Sequence, residues 1–178
     1  PYNKGGLYRK WYGNLLWVLK YGRDGAAVEA AEGQLSNKGF YFKPHISWTR
    51  VSSRLNMRFY DSGSIFDNTS PGIFEDLLYL LGFYNSKVCE KIRIDKYSGN
   101  KIESGYIKSL SPYVTDKRKS IESVVENNII ISRQDWDNFE ISRNFSRHPL
   151  LKYEIYYDCI TINNLNKFSL TNSEISFS

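Results

Sequence analysis

Methionine, cysteine and histidine are all scarce in this chain, and each shortage removes a class of chemistry. Among 178 residues there is one Met, Met57, and there are two Cys and two His. The chain opens on Pro1 rather than on an initiator, so it reads as a fragment or a processed product. Cys89 and Cys159 stand far apart with no C-x-x-C, and His45 and His148 form no H-E-x-x-H, so a zinc site is not expected. Both cysteines read as buried free thiols, the usual behaviour of unpaired Cys. No apolar run reaches the ~18 residues of a membrane span. No basic-then-apolar leader opens the chain, and a cytoplasmic location is the expectation. No Gly-Lys-Ser/Thr phosphate loop occurs, and Gly5-Gly6 lacks the flanking strand and spacing of a cofactor turn. Neither histidine sits near a G-x-S-x-G, which leaves Ser/His/Asp catalysis unsupported.

Two further gaps concern nucleic-acid chemistry. The five prolines include no Pro-Pro. Enzymes that methylate exocyclic amino groups share [DNS]-P-P-[YFW], which places a polar oxygen and a ring around a flipped base; Ser111-Pro112-Tyr113 reads instead as a turn. No Glu is followed two places later by Lys, so the acid-plus-E-x-K set of metal-dependent nucleases is missing. Asp135 and Asp137 could in principle hold magnesium. The favoured reading is that they are acids in the first turn of a helix, where the dipole suits them.

What the chain has in quantity is aromatic and basic side chains. It is 41% hydrophobic and 16% aromatic, enough for one sizeable core with rings left over for the surface. The net charge of +5 is uneven: residues 1–60 carry ten Lys/Arg against three acids, a balance of +7 that leaves −2 for the rest. A basic segment beside a near-neutral one points to a localised polyanion-binding face. Half of those ten cations are Arg, and several adjoin aromatic residues, which argues against a merely solvated surface.

The pattern predicts an α+β fold, with a twisted mixed or antiparallel sheet in the amino-terminal part and helices in the carboxy-terminal half. Strands are expected at 15–21, 46–52, 56–60 and 64–67, with a turn at Arg23-Asp24-Gly25 and a short helix over 26–32. The apolar run 77–81 suits a buried strand or a helix start, interrupted by Gly82. A helix is expected from Asn85 through Ile92, with Val88, Ile92 and Cys89 inward. Another runs from a Thr115-Asp116 cap to about Ile131, and a short second helix starts at Ser132. Regular structure is expected to end at Pro149. A strand is possible over 153–162, and the Asn/Ser-rich tail is expected to be poorly anchored. Residues 1–151 form the expected domain and 152–178 a divergent polar tail.

Duplex affinity comes mostly from phosphate neutralisation, and sequence choice from side chains at base edges. Arg suits guanine, and Asn suits adenine. The first sixty residues supply Asn3, Lys4, Arg9, Lys10, Asn14, Arg23, Arg50, Arg54 and Arg58, largely at expected turns. Trp11 and Tyr12 could stack on bases or fill the core. Trp17 and Trp48, inside expected strands, are read as core. Gly5, Gly6 and Gly13 would let backbone approach a phosphate.

At this point a family resemblance adds specificity. "YNKGGLYRKWYGN" with "VLKYGRDG" resembles a segment of the BREX-type adenine-specific DNA methyltransferases of the PglX family, downstream of their catalytic domain. "ISWTRVSS", "MRFYDSGSIFD", "LLYLLGFYNSKV" and "SRQDWDNFEISRNFSRHPLL" are similar to stretches that follow in the same order, through about residue 151. Arg143-Asn144 departs from the Trp-Asp of the family, and the resemblance stops after Leu151. It implies the target-recognition region of an N6-adenine DNA methyltransferase in phage defence or restriction–modification. Double-stranded DNA, a catalytic domain and other defence-system proteins would be the partners. S-adenosylmethionine would serve the parent enzyme rather than this chain, from which no catalysis is expected. The resemblance places Asn3, Lys4, Arg9, Lys10, Trp11, Tyr12 and Asn14 in its opening motif. Two rivals stand beside it: a protein-docking module of a defence complex, and a small metal-dependent nuclease using Asp135 and Asp137.

Overall fold

The computed structural model describes residues 1–31, 33–112 and 115–153. The chain divides into two compact units, Pro1–Trp136 and Asp137–Ser178. The architecture is α+β, with small sheets in the amino-terminal part and helices after them. Among the described residues no helix is long and apolar enough to cross a membrane.

Five short strands carry the first part. β1 (Tyr2–Asn3) lies parallel to β4 (Ile65–Phe66). β2 (His45–Ser47) is the centre of an antiparallel sheet, between β3 (Arg58–Tyr60) and β5 (Gly72–Ile73). The register sets His45 opposite Tyr60 and Ile46 opposite both Phe59 and Ile73. All three β2 residues are buried, so this strand is covered on both faces. The β2–β3 connection is long because it folds inward: Trp48, Leu55 and Met57 are core residues, and Trp48 Nε1 donates to the Ile102 carbonyl at 2.7 Å.

The sheet expected over 15–21 does not form. Leu15–Tyr21 is irregular apart from one bridge, Tyr2 with Trp17, and Trp17 is 57% exposed rather than core. Trp48 is in the core as expected, at 2%. The short helix α1 spans Ala26–Glu29.

The apolar run at 77 resolves as helix. α2 (Leu77–Asn85) continues through Gly82, which is a packing site rather than an interruption: a Cβ there would lie 2.8 Å from Val125 and 3.1 Å from Ile121. Its absence lets the long helix α5 (Arg118–Asp137) approach closely. α3 (Lys87–Lys96) follows at once, capped by Ser86, whose hydroxyl accepts the Cys89 N–H at 3.1 Å. It buries Cys89 and Arg93, while Val88, expected inward, is 66% exposed. A helix not expected, α4 (Ser104–Ser109), buries Ile107. α5 buries Val125, Ile129 and Trp136, spaced along one face, and runs unbroken past Ser132. The expected second helix is therefore the end of the first, and Asp135 sits in a last turn, not a first.

In the second unit, Ser142 Oγ donates to Asp137 Oδ1 at 2.5 Å and accepts the Asn144 N–H at 3.2 Å. A 3₁₀ turn covers Pro149–Tyr153, so local order continues past Pro149. The expected strand beyond it, the polar tail and Cys159 lie outside the described residues.

Candidate nucleic-acid interface

The opening motif is first of all a piece of the scaffold. Trp11 N–H donates to the Met57 carbonyl at 2.9 Å and Phe59 N–H to the Trp11 carbonyl at 2.8 Å, so this segment closes the outer edge of β3. Trp11 holds φ 71° to do so and packs half-buried against the core. Asn3 is fully buried; its Oδ1 accepts the Gly5 N–H at 3.0 Å and the Ser70 hydroxyl at 2.8 Å. Asn14 is also buried, and its amide donates to the Leu7 carbonyl at 2.8 Å. Tyr12 is a core residue with Arg133 over its ring at 4.5 Å.

Arg58 is the sharpest departure from expectation. It is 0% exposed. Its guanidinium donates to the Tyr60 hydroxyl (3.0 Å), the carbonyls of Arg9 and Asn56 (3.2 Å each) and Thr49 Oγ1 (3.0 Å). These acceptors are neutral, so a buried cation is held by hydrogen bonds alone, tying the opening segment to the β2–β3 connection. Arg58, Asn3, Asn14 and Tyr12 cannot touch a duplex without dismantling that network, and they leave the set of expected contact residues.

Other cations are engaged more lightly. Arg9 pairs with Asp135, donates through Nε to the Tyr12 carbonyl at 3.0 Å, and stacks on Trp136 at 5.1 Å. Gly13 makes room for this: a Cβ there would meet the Arg9 side chain at 2.7 Å and Trp136 at 2.9 Å. Lys10 Nζ donates to the Asn85 carbonyl at 2.8 Å. Arg50 forms a bidentate pair with Glu103 at 2.9 and 3.0 Å. Arg93, which the sequence pattern did not single out, is buried and pairs with Glu90. Burial alone would raise the Glu90 carboxyl pKa; the Arg93 guanidinium and the Leu55 N–H outweigh it and hold the group below the usual carboxylate range. Burial pushes the Cys89 thiol up to about 11, so this cysteine is an inert core residue.

What faces out is a smaller group. Lys4, Arg23 and Arg54 are exposed, as is Lys20, which sequence reasoning passed over. The first acid in the chain is Asp24, so residues 1–23 carry five cations and no anion. Exposed large apolar groups lie in the same stretch: Leu7, Tyr8, Leu16, Trp17 and Val18. The pieces are joined: Asn14 holds the Leu7 carbonyl, Tyr2 N–H donates to the Trp17 carbonyl at 2.8 Å, and Arg54 lies 6.0 Å from the Tyr8 ring centre. This rim of cations and rings can neutralise phosphates and stack on flat groups; the anions at its border are Asp67, which accepts from the Tyr2 hydroxyl at 2.8 Å, and Asp24 next to Arg23.

The nuclease set is not assembled. Asp135 is bound to Arg9, Asp137 accepts from Ser142, and among the described residues no three His, Cys, Asp or Glu side chains gather to hold a metal ion. The turn from β5 to α2, Phe74–Asp76, carries no glycine to bring backbone against a phosphate.

No protein-family model matches the chain. It is 30% identical over 161 residues to the adenine-specific methyltransferase BrxX of Escherichia coli O9:H4 (strain HS), an alignment covering 86% of this chain and 13% of that protein. It is 31% identical over 170 residues to the adenine-specific methyltransferase PglX of Lacticaseibacillus casei (strain Zhang), covering 85% of this chain and 14% of that one. The chain thus spans about one seventh of the length of these curated relatives.

Proposed function

The chain is homologous to one segment of the BREX-type adenine-specific methyltransferases, and from that relationship we propose that residues 1–151 are a target-recognition region that grips duplex DNA. The parent enzyme would methylate adenine in DNA in phage defence, with S-adenosylmethionine held elsewhere in it. The observation that carries the reading is the acid-free stretch 1–23, in which Lys4, Tyr8, Trp17, Lys20 and Arg23 are exposed, together with exposed Arg54 over the Tyr8 ring. Lys and Arg at such a rim neutralise phosphates, and Tyr8 and Trp17 offer faces to sugars or bases. Trp11 stays half-buried, and Arg9, Lys10 and Arg50 would take part only by exchanging their internal partners for phosphate.

Fluorescence anisotropy with a labelled duplex tests this. Four phosphate contacts predict a log–log salt slope of about −3.6, or roughly a hundredfold loss between about 50 and 200 mM salt. No binding at low salt overturns the proposal.

One observation favours a second reading. Leu16, Trp17 and Val18 are consecutive, 51%, 57% and 73% exposed, and apolar. Such a run suits a face covered by protein, whether the catalytic part of the parent or another defence-system component. Association with such a partner that does not weaken with salt would select it.

A further inference from the structure

One loop on this rim joins a rigid frame to an outward apolar tip. Leu7 is 86% exposed, the most exposed of the large apolar residues described, and Tyr8 beside it is 52% exposed. The frame beneath them is fixed from several sides. Gly5 has φ 75° and gives its N–H to buried Asn3. A Cβ on Gly5 would press on Thr49 at 3.0 Å. The Gly6 carbonyl accepts from Thr49 Oγ1 at 3.1 Å, and Thr49 Oγ1 is itself bound by buried Arg58. The Leu7 carbonyl is held by Asn14. A slack loop would fold its leucine onto the nearest apolar surface; this one is held off it by buried polar anchors on both sides. The buried network of Asn3, Asn14 and Arg58 thus has a product: a stiff, protruding tip.

The tip's neighbours say what it fits. Lys4 lies 5.4 Å from the Tyr2 ring centre and Arg54 6.0 Å from that of Tyr8, both exposed. An apolar tip that carries Arg54 over its ring, with exposed Lys4 three residues before it in the chain, complements a surface that is anionic outside and apolar and stackable within, which is a base-pair stack between its phosphates.

We infer that Leu7 and Tyr8 form a wedge that enters the stack between neighbouring base pairs, with Lys4 and Arg54 on the flanking phosphates. This deepens the DNA-recognition reading and rests on it. Insertion must separate stacked bases, and the separation costs least where a pair is already weakened. The wedge therefore predicts a preference that needs no knowledge of the target sequence.

The test compares the full chain's affinity for a fully paired duplex and for the same duplex with one central mismatch. The wild type should bind the mismatched duplex about tenfold tighter. Leu7→Ala and Tyr8→Ala should each reduce that ratio to below about twofold, and Leu7→Phe should keep it. These side chains are exposed, so thermal melting should be unchanged and serves as the fold control. Salt-dependent binding with a wild-type ratio near one, or a ratio that survives Leu7→Ala, overturns the wedge and leaves the DNA reading standing. Absence of binding to either duplex overturns both.

Discussion

The turn-rich region up to β5 and the helices that follow it put similar side chains to different use. In α2 to α5, apolar groups such as Leu81, Val125 and Ile129 form the core, and few polar groups enter it: Asn85, which exchanges hydrogen bonds with the Met57 backbone, and Arg93, which pairs with Glu90 and donates to the Ser53 carbonyl. In the amino-terminal region the strands are two or three residues long, too short to satisfy the backbone by ladders. Side chains do that work instead, with Asn3, Asn14, Asn56 and Arg58 bonded to carbonyls and N–H groups of turns. The difference teaches that Arg and Asn in a region without long strands are first candidates for holding its backbone, and only those the fold leaves outside are candidates for holding a ligand.

The comparison breaks most clearly at Arg58. Arg58→Met should cost about 2–5 kcal/mol, because the carbonyls of Arg9 and Asn56 remain buried without a donor at about 1–3 kcal/mol each. The denaturant midpoint measures it, and a loss below about 1 kcal/mol would mean the network is ornamental. Gly13→Ala should cost about 1–3 kcal/mol, since φ is 113° and the added carbon meets Arg9 and Trp136.

His45 sharpens the contrast through pH. It is buried against Tyr60, with rings stacked at 5.1 Å, and burial holds its pKa below the ordinary value. The unfolded chain therefore takes up the proton first. The neutral-His stability is fully present above about pH 6.5 and is lost as pH falls towards the folded value, at no more than about 1.4 kcal/mol per pH unit. Stability measured across pH 5–8 should flatten in His45→Phe. Arg9→Ala should cost about 1 kcal/mol, from a half-exposed ion pair and a ring contact. The smallest effect on folding belongs to the rim: Lys20→Ala and Arg23→Ala should change stability by no more than about 0.5 kcal/mol. Each should lower the salt slope of duplex binding by about one if it meets a phosphate.

Helices were more legible in the sequence than strands. The 3- and 4-residue spacing that includes Val125 and Ile129 marks the inner face of α5, and the helix expected from Asn85 appears as α3 from Lys87, because helix periodicity is local. Trp17 misled: an apolar run of β-prone residues reads as a strand, yet a strand needs a partner, and among the described residues only Tyr2 bridges to 15–21. Asp135 misled for a related reason. An acid suits a first turn, but here Arg9, 126 positions away in sequence, compensates it in a last turn. At the candidate interface the charge imbalance was visible beforehand, whereas the sorting of its members was not.

The sequence by itself determined the α+β composition, the existence of the long helix α5 and the surplus of positive charge at the amino end. These follow from residue type and short-range spacing. Only the tertiary structure decided which cations are internal and which face water. Whether Arg58 or Arg54 is buried depends on acceptors brought from distant turns: Arg58 meets Thr49 and the Arg9 carbonyl, while Arg54 meets no such cage and lies at the surface over Tyr8.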